Sequence, residues 1–231
     1  MKDYAYIYVL VFFSIFILVE IISVVRILSQ SLPTFKRIRI TLKINLIVFL
    51  TGFLMLAVAT LFEVNYLQYE LPIPYSGLKQ ITFKDFTGLK RPKETLDGMS
   101  EFAFIVTETR IKTSGNTVEV SCYFHPARSY VFNSNIDDNK LLQHELYHFH
   151  IREYNARLLR KKIALLGSRI NEMELEKMKN EMEFEEGIMQ YQYDDETYHS
   201  YVRGKQIAWE QKIDSCLLSL KDYESVFVKI K

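Results

Sequence analysis

The sequence His-Glu-x-x-His occurs at His144, Glu145 and His148. Residues four apart on a helix share one face and are separated by one turn, so both imidazoles can reach the same ion. Zinc accepts three protein ligands and leaves one position for water. Glu145 is then placed to take a proton from that water. The motif predicts a hydrolytic zinc centre with His144 and His148 as metal ligands and Glu145 as general base and acid.

A zinc centre of this kind needs a third protein ligand. His199 is our prediction, because it follows an acid-rich segment ahead of a helix and loops often return to such a site. Asp194, Asp195 and Glu196 remain alternatives, and one of them can instead orient a ligand histidine.

The other histidines and the tyrosines near the motif have structural explanations. His150 and Glu153 point away from the metal-binding face of the helix, and His125 stands beside Pro126. Three tyrosines are candidates for stabilising an oxyanion, although each is more often a packing residue: Tyr147, Tyr193 and Tyr198.

Two apolar runs in the first seventy residues, 4–25 and 44–62, are each long enough to cross a bilayer. Basic residues lie between them, and the positive-inside rule places this connection in the cytoplasm. A cleaved signal peptide is the competing interpretation, but the leader is hardly basic and has no small-residue cleavage site. We predict two transmembrane helices in residues 1–70 of a multi-pass protein of the bacterial inner membrane, in contact with the lipid bilayer. Residues 71–231 would form a periplasmic or extracellular domain.

The remainder of the chain has the pattern of an α+β domain. Two segments rich in Val, Ile, Thr and aromatic residues flank turn residues at 113–116, which predicts a β-hairpin. Shorter strands are expected at 80–86 and 129–132, and a strand or loose tail at 225–231. Helices are expected at 141–166, 171–186 and 203–223. The prediction is a zincin-like domain, with a small antiparallel sheet beside the helix that carries the motif.

Composition excludes some classes of function. The formal net charge is +1, and no basic stripe or zinc-finger spacing points to nucleic acid. The two cysteines, Cys122 and Cys216, are far apart in the sequence, so a thiolate zinc site is not expected. Whether they pair or stay free is open.

Several segments resemble a bacterial domain family of unknown function whose members are envelope or secreted proteins described as zinc-dependent proteases. The resemblance covers roughly residues 81–220 and rests on these positions: Leu141, Leu142, His144, Glu145, His148, Phe149, Ala156 and Arg157; then Tyr193, Asp194, Thr197, His199, Gln206 and Trp209; and upstream Phe83, Asp85, Phe86, Gly88 and residues 129–131. It implies a zincin-like site with ligands His144, His148 and His199 and with Glu145 as the catalytic acid and base. The chain departs from the family pattern at Leu146, His150 and Ser200, where Gln, Asp and Gly are common.

The leading hypothesis is a membrane-anchored zinc metallopeptidase that hydrolyses a peptide or protein substrate. One alternative is a zinc-stabilised domain without catalysis, in which a carboxylate such as Asp194 fills the fourth position. Another is a metal-free interaction module of an envelope assembly. An intramembrane protease is disfavoured, because the motif helix carries Arg152, Arg157, Arg160, Lys161 and Lys162.

Overall fold

A computed structural model describes residues 14, 17–19, 21–22, 25, 34–61, 65, 68–88, 103–132, 139–167 and 170–230. The chain divides into two compact units, Met1–Tyr69 and Glu70–Lys231, and each is described by itself.

The longest described element of the first unit is a helix, α1, at Thr34–Leu61. Large apolar side chains along its middle are more than half exposed: Leu46, Ile47, Phe49, Leu50, Phe53 and Leu54. The helix starts inside the basic segment, at Thr34, whereas the apolar run starts at residue 44. The predicted connection between the two spans is therefore helical from Thr34 onward.

Within the described part of the chain, no helix is both long and apolar enough to span a bilayer. This finding contradicts the predicted pair of transmembrane helices and the multi-pass inner-membrane location that followed from it. The first predicted span, residues 4–25, lies mostly outside the described residues. The second is part of a longer helix, α1, which takes in the basic residues ahead of the apolar run.

The second unit is an α+β domain with a small antiparallel sheet. Its strands are β1 Ile73–Pro74, β2 Ala103–Phe104, β3 Thr107–Ser114, β4 Thr117–Phe124, β5 Tyr130–Val131 and β6 Phe227–Lys229. The sheet has the order β1-β4-β3, with β6 also paired to β4, while β2 and β5 form a separate pair. The predicted hairpin is confirmed as β3 and β4, and Gly115 supplies the positive φ, 54°, that its turn requires.

Three helices complete this unit: α2 Asn139–Leu166, α3 Glu172–Thr197 and α4 Arg203–Ser219. The central helix is α2, which packs on the sheet through one face, including Phe149, Leu159 and Ile163. Its other face, including Ile151, packs against Trp209 and other residues of α3 and α4. A helix buried on two faces is held firmly, which is what a site built on it needs.

Two predicted elements are corrected. Residues 80–86 do not form a strand, because Thr82 and Asp85 make a reciprocal capping box that closes a 3₁₀ turn at Phe83–Asp85. The predicted helix 171–186 continues to Thr197, so Asp194 lies in a helical turn and not in a loop. Both cysteines are free thiols.

A buried ion pair joins α2 to the sheet and to the end of the chain. Arg160, which has no exposed surface, makes two contacts with the carboxylate of Glu153, at 2.7 and 3.1 Å. Its Nε atom donates to the Val120 carbonyl of β4 at 2.9 Å, and Nη1 donates to the Tyr223 carbonyl at 3.1 Å. One guanidinium therefore satisfies acceptors from three parts of the domain.

Replacing Arg160 with Met should lower the free energy of unfolding by about 3 kcal/mol, because two carbonyls lose this donor and the buried Glu153 carboxylate keeps only Arg157. Lys161→Met is the matched control, since Lys161 is exposed, and should change the free energy by less than about 0.5 kcal/mol. Urea unfolding of both variants measures the difference. Equal small losses in the two variants would contradict a stabilising role for Arg160.

Candidate metal centre

Helix α2 carries the motif on the side that faces α3. Only 1% of the His144 side chain is exposed to solvent, and 13% of the His148 side chain is exposed. Their ring centroids are 5.0 Å apart, as the four-residue spacing predicts. The two imidazoles thus lie together in the interior of the domain.

The Asp194 carboxylate of α3 lies between the three predicted ligands. Its Oδ1 atom is 3.1 Å from His144 Nε2, 2.9 Å from His148 Nε2 and 3.6 Å from His199 Nδ1. The potential ligand atoms of His144, Asp194 and His199 all lie within 4.8 Å of one another, and His148 is not part of this group although its Nε2 atom contacts the same oxygen. The structure thus groups the three histidines around one carboxylate oxygen.

His199 reaches this centre from an unusual loop. Tyr198, His199 and Ser200 all have positive φ angles, at 52°, 48° and 77°. Each left-handed non-glycine residue costs roughly 1–2 kcal/mol. The loop is fixed by main-chain bonds, in which His199 N donates to Asp194 O and Val202 N donates to Thr197 O. Backbone strain of this kind is concentrated at functional sites, and here it directs a histidine back toward the end of its own helix.

Solvent reaches the centre from one side. Exposure of the side chains rises from 1% at His144 and 13% at His148 to 27% at Asp194 and 35% at His199. The motif histidines therefore form the floor of the site. The end of α3 and its loop form the open rim.

Glu145 is also buried, and its carboxylate faces the segment between β2 and β3. The Ile105 N–H donates to Glu145 Oε2 at 2.9 Å. Ile105 follows β2 directly, so the main chain of the sheet region fixes the orientation of the predicted catalytic carboxylate.

Of the three candidate tyrosines, Tyr193 lies at the centre. It is fully buried, stacks on the His144 ring at 4.6 Å and contacts the edge of His148 at 5.1 Å. The Tyr147 hydroxyl instead donates to the Asp214 carboxylate, and Tyr198 is largely exposed. Tyr193 thus packs the two motif imidazoles, and burial raises its pKa above the ordinary value.

The two motif histidines have opposite pKa shifts. Burial lowers the pKa of His144 to about 4, against an opposing hydrogen bond with Asp194. Burial alone would also lower the pKa of His148, but the Asp194 charge and hydrogen bond raise it to about 9. The carboxyl of Asp194 has a lowered pKa despite its burial, because His148 and His144 stabilise the anion. In the metal-free protein, the stabilisation from the raised His148 pKa is complete below pH 6.5 and is lost as the pH rises through about 9.

The donor set fits a zinc ion. Imidazoles and a carboxylate are ordinary zinc ligands, and a tetrahedron with bonds of about 2.0 Å has edges of roughly 3.3 Å. The distances from Asp194 Oδ1 to the three nitrogens, 2.9 to 3.6 Å, bracket this edge length. The same oxygen is therefore placed either to bind the ion or to hold the ligand histidines.

Of the predicted site residues His144, Glu145, His148 and His199, the three histidines lie around Asp194, which the sequence offered only as an alternative ligand. The residues assigned to structural roles have such partners: the Tyr75 hydroxyl lies 2.6 Å from His150, Glu108 pairs with His125, and Glu153 pairs with arginines.

Gln190 was missed by the sequence analysis, although its Oε1 atom lies 2.5 Å from His148 Nδ1. A signal was present, because Glu186, Gln190 and Asp194 recur every four residues and so form a polar stripe on one face of α3.

Comparison with protein-family models, with curated proteins and with solved structures gives no match. The resemblance to the bacterial domain family stays a prediction.

Replacing Asp194 with Asn should lower the pKa of His148 in the metal-free protein well below about 9, because the largest opposing charge is removed while burial and the smaller effects of Glu145 and Gln190 remain. Asp195→Asn is the matched control, since Asp195 is exposed and adjacent. The pKa of His148 is measured in both variants by NMR titration of the histidine ring resonances. An unchanged His148 pKa in Asp194→Asn would contradict the charge pairing.

Proposed function

We propose that the protein is a zinc-dependent hydrolase that cleaves peptide bonds, with His144, His148 and His199 as zinc ligands and Glu145 as general base and acid. The observation that carries this proposal is that two buried histidines of α2 and a more exposed histidine from a strained loop all lie within 3.6 Å of one carboxylate oxygen. A buried carboxylate, Glu145, lies beside the first ligand in the sequence.

In this proposal, each residue has a separate task. A zinc ion at the centre would polarise the peptide carbonyl and lower the pKa of water. Glu145 accepts a proton from the attacking water and passes it to the leaving amine nitrogen as the carbon–nitrogen bond breaks. The Ile105 N–H holds the Glu145 carboxylate in place for both transfers. Tyr193 excludes water from the inner side of His144.

A peptide substrate is favoured by the strands next to the site. Among the described strands, β3 forms one edge of the sheet, and Arg152 of α2 donates to the Thr107 hydroxyl on this strand at 2.7 Å. Extended peptides commonly bind to sheet edges by main-chain pairing. The strand therefore lies close enough to the motif helix to hold a peptide beside it.

Asp194 favours a second candidate function, a zinc-stabilised domain without catalysis. Its Oδ1 atom is at ligand-to-ligand distance from all three histidines, and four protein ligands are typical of structural zinc. In the proposed hydrolase, Asp194 would instead hold the ligand histidines, and the position that it fills in a structural centre would be open to water.

Glu145→Gln should reduce hydrolysis of a fluorogenic peptide library by about 10²-fold or more while zinc content stays unchanged, because the amide cannot accept the proton. Glu185→Gln is the matched control, since Glu185 is exposed on α3, and it should retain full activity. Zinc content is measured on the same samples. Retained hydrolysis in Glu145→Gln would refute its role, and zinc without hydrolysis in the parent would favour the structural centre.

A further inference from the structure

We propose that Gln190 is a positioning residue that holds the proton of His148 on Nδ1 and so presents Nε2 to the centre. The consequence for metal binding rests on the proposed zinc site. The position of the proton on the ring does not rest on that site, because it follows from hydrogen bonds within the protein.

Gln190 binds His148 at two points. Its Oε1 atom lies 2.5 Å from the ring Nδ1, and its Nε2 donates to the main-chain carbonyl of the same histidine at 2.9 Å. On the other side of the ring, His148 Nε2 faces Asp194 at 2.9 Å. The imidazole is therefore held between two side chains of α3.

The two contacts fix which way the amide group points. A carbonyl oxygen can only accept, so the amide nitrogen of Gln190 must be the atom that faces His148 O. The amide oxygen then faces the ring, and because it can only accept, His148 Nδ1 must carry the donated proton. The Asp194 carboxylate on the other side also only accepts, so the charged ring of the metal-free protein carries a proton on Nε2 as well, which it would release on binding a metal. The ring nitrogen left for a metal is Nε2, on the side of Asp194 and His144.

A buried ion pair holds Gln190 itself. Gln190 Nε2 also donates to Glu186 Oε1 at 3.0 Å, and Glu186 is only 2% exposed. Arg152 contacts the same Glu186 oxygen at 3.0 Å and donates to Thr107 of β3. The amide is thus connected through Glu186 and Arg152 to the sheet, so it cannot rotate without breaking buried hydrogen bonds.

His144 provides an internal contrast. Its Nδ1 atom is buried and has no hydrogen-bond partner among the described residues, and the ring is held by stacking on Tyr193. Of the two motif histidines, only His148 has its second nitrogen fixed by an amide. Removing this amide should therefore affect His148 and leave the His144 ring in place.

The test uses the full chain and three changes. Gln190→Leu removes the acceptor for His148 Nδ1 and the donor to His148 O. Gln192→Leu is the matched control, because Gln192 is exposed on the same helix. The double variant Gln190→Glu/Glu186→Gln exchanges an amide and a carboxylate without changing the net charge. It keeps an acceptor for His148 Nδ1 and loses the donor to His148 O.

Zinc affinity is measured by competition with a chelator. The ring nitrogen of His148 that carries the proton is identified by ¹⁵N NMR on metal-free protein, at a pH high enough for the ring to be neutral. Gln190→Leu should bind zinc about 10–100-fold more weakly, as loss of such partners typically does, and the double variant should recover most of the affinity. In the neutral ring the parent should keep the proton on Nδ1, facing Gln190, and in Gln190→Leu the proton should move to Nε2, facing Asp194.

Parent protein with the proton on Nε2 would overturn the inference, and so would unchanged zinc affinity in Gln190→Leu. Loss of affinity that the double variant fails to restore would also overturn it, because the amide would then act only through packing. Absence of zinc from the parent would refute the proposed function alone, and the NMR measurement would still decide whether Gln190 sets the tautomer.

Discussion

The candidate site depends on the packing of α2 against α3, which places the Asp194 carboxylate within 3.6 Å of three imidazole nitrogens. Two of those imidazoles are nearly inaccessible to solvent, and uncompensated burial would make a cationic form unfavourable. The carboxylate reverses this effect at His148 and not at His144, so the two motif histidines differ although their spacing makes them equivalent in the sequence. The site is therefore an electrostatically coupled group of four residues.

The surrounding structure fixes this group from three directions. Gln190 holds the far nitrogen of His148, Tyr193 covers the His144 ring, and three consecutive residues with positive φ turn His199 back toward Asp194. Glu145 is held separately, by a main-chain N–H beside the sheet. Rigid elements and buried supporting contacts of this kind orient metal ligands in proteins.

Much of the second unit could be predicted from local patterns. The β3–β4 hairpin followed from alternation and turn residues, and the motif helix from its periodicity. The strand predicted at residues 80–86 was wrong, because Thr82 and Asp85 cap each other and the alternating segment forms a 3₁₀ turn. The two-span anchor rested on apolar length alone. It is contradicted because, within the described residues, no helix meets the length and hydropathy of a span. The position of Asp194 between the histidines depends on contacts across fifty residues, which periodicity cannot give.

The metal centre is best tested by the zinc content of the purified chain, measured beside that of His148→Ala. We expect about one zinc per chain in the parent, since three imidazole nitrogens lie within 3.6 Å of one carboxylate oxygen, and loss of that zinc in the variant. A parent protein without zinc above background would contradict the metal centre and favour a metal-free interaction module.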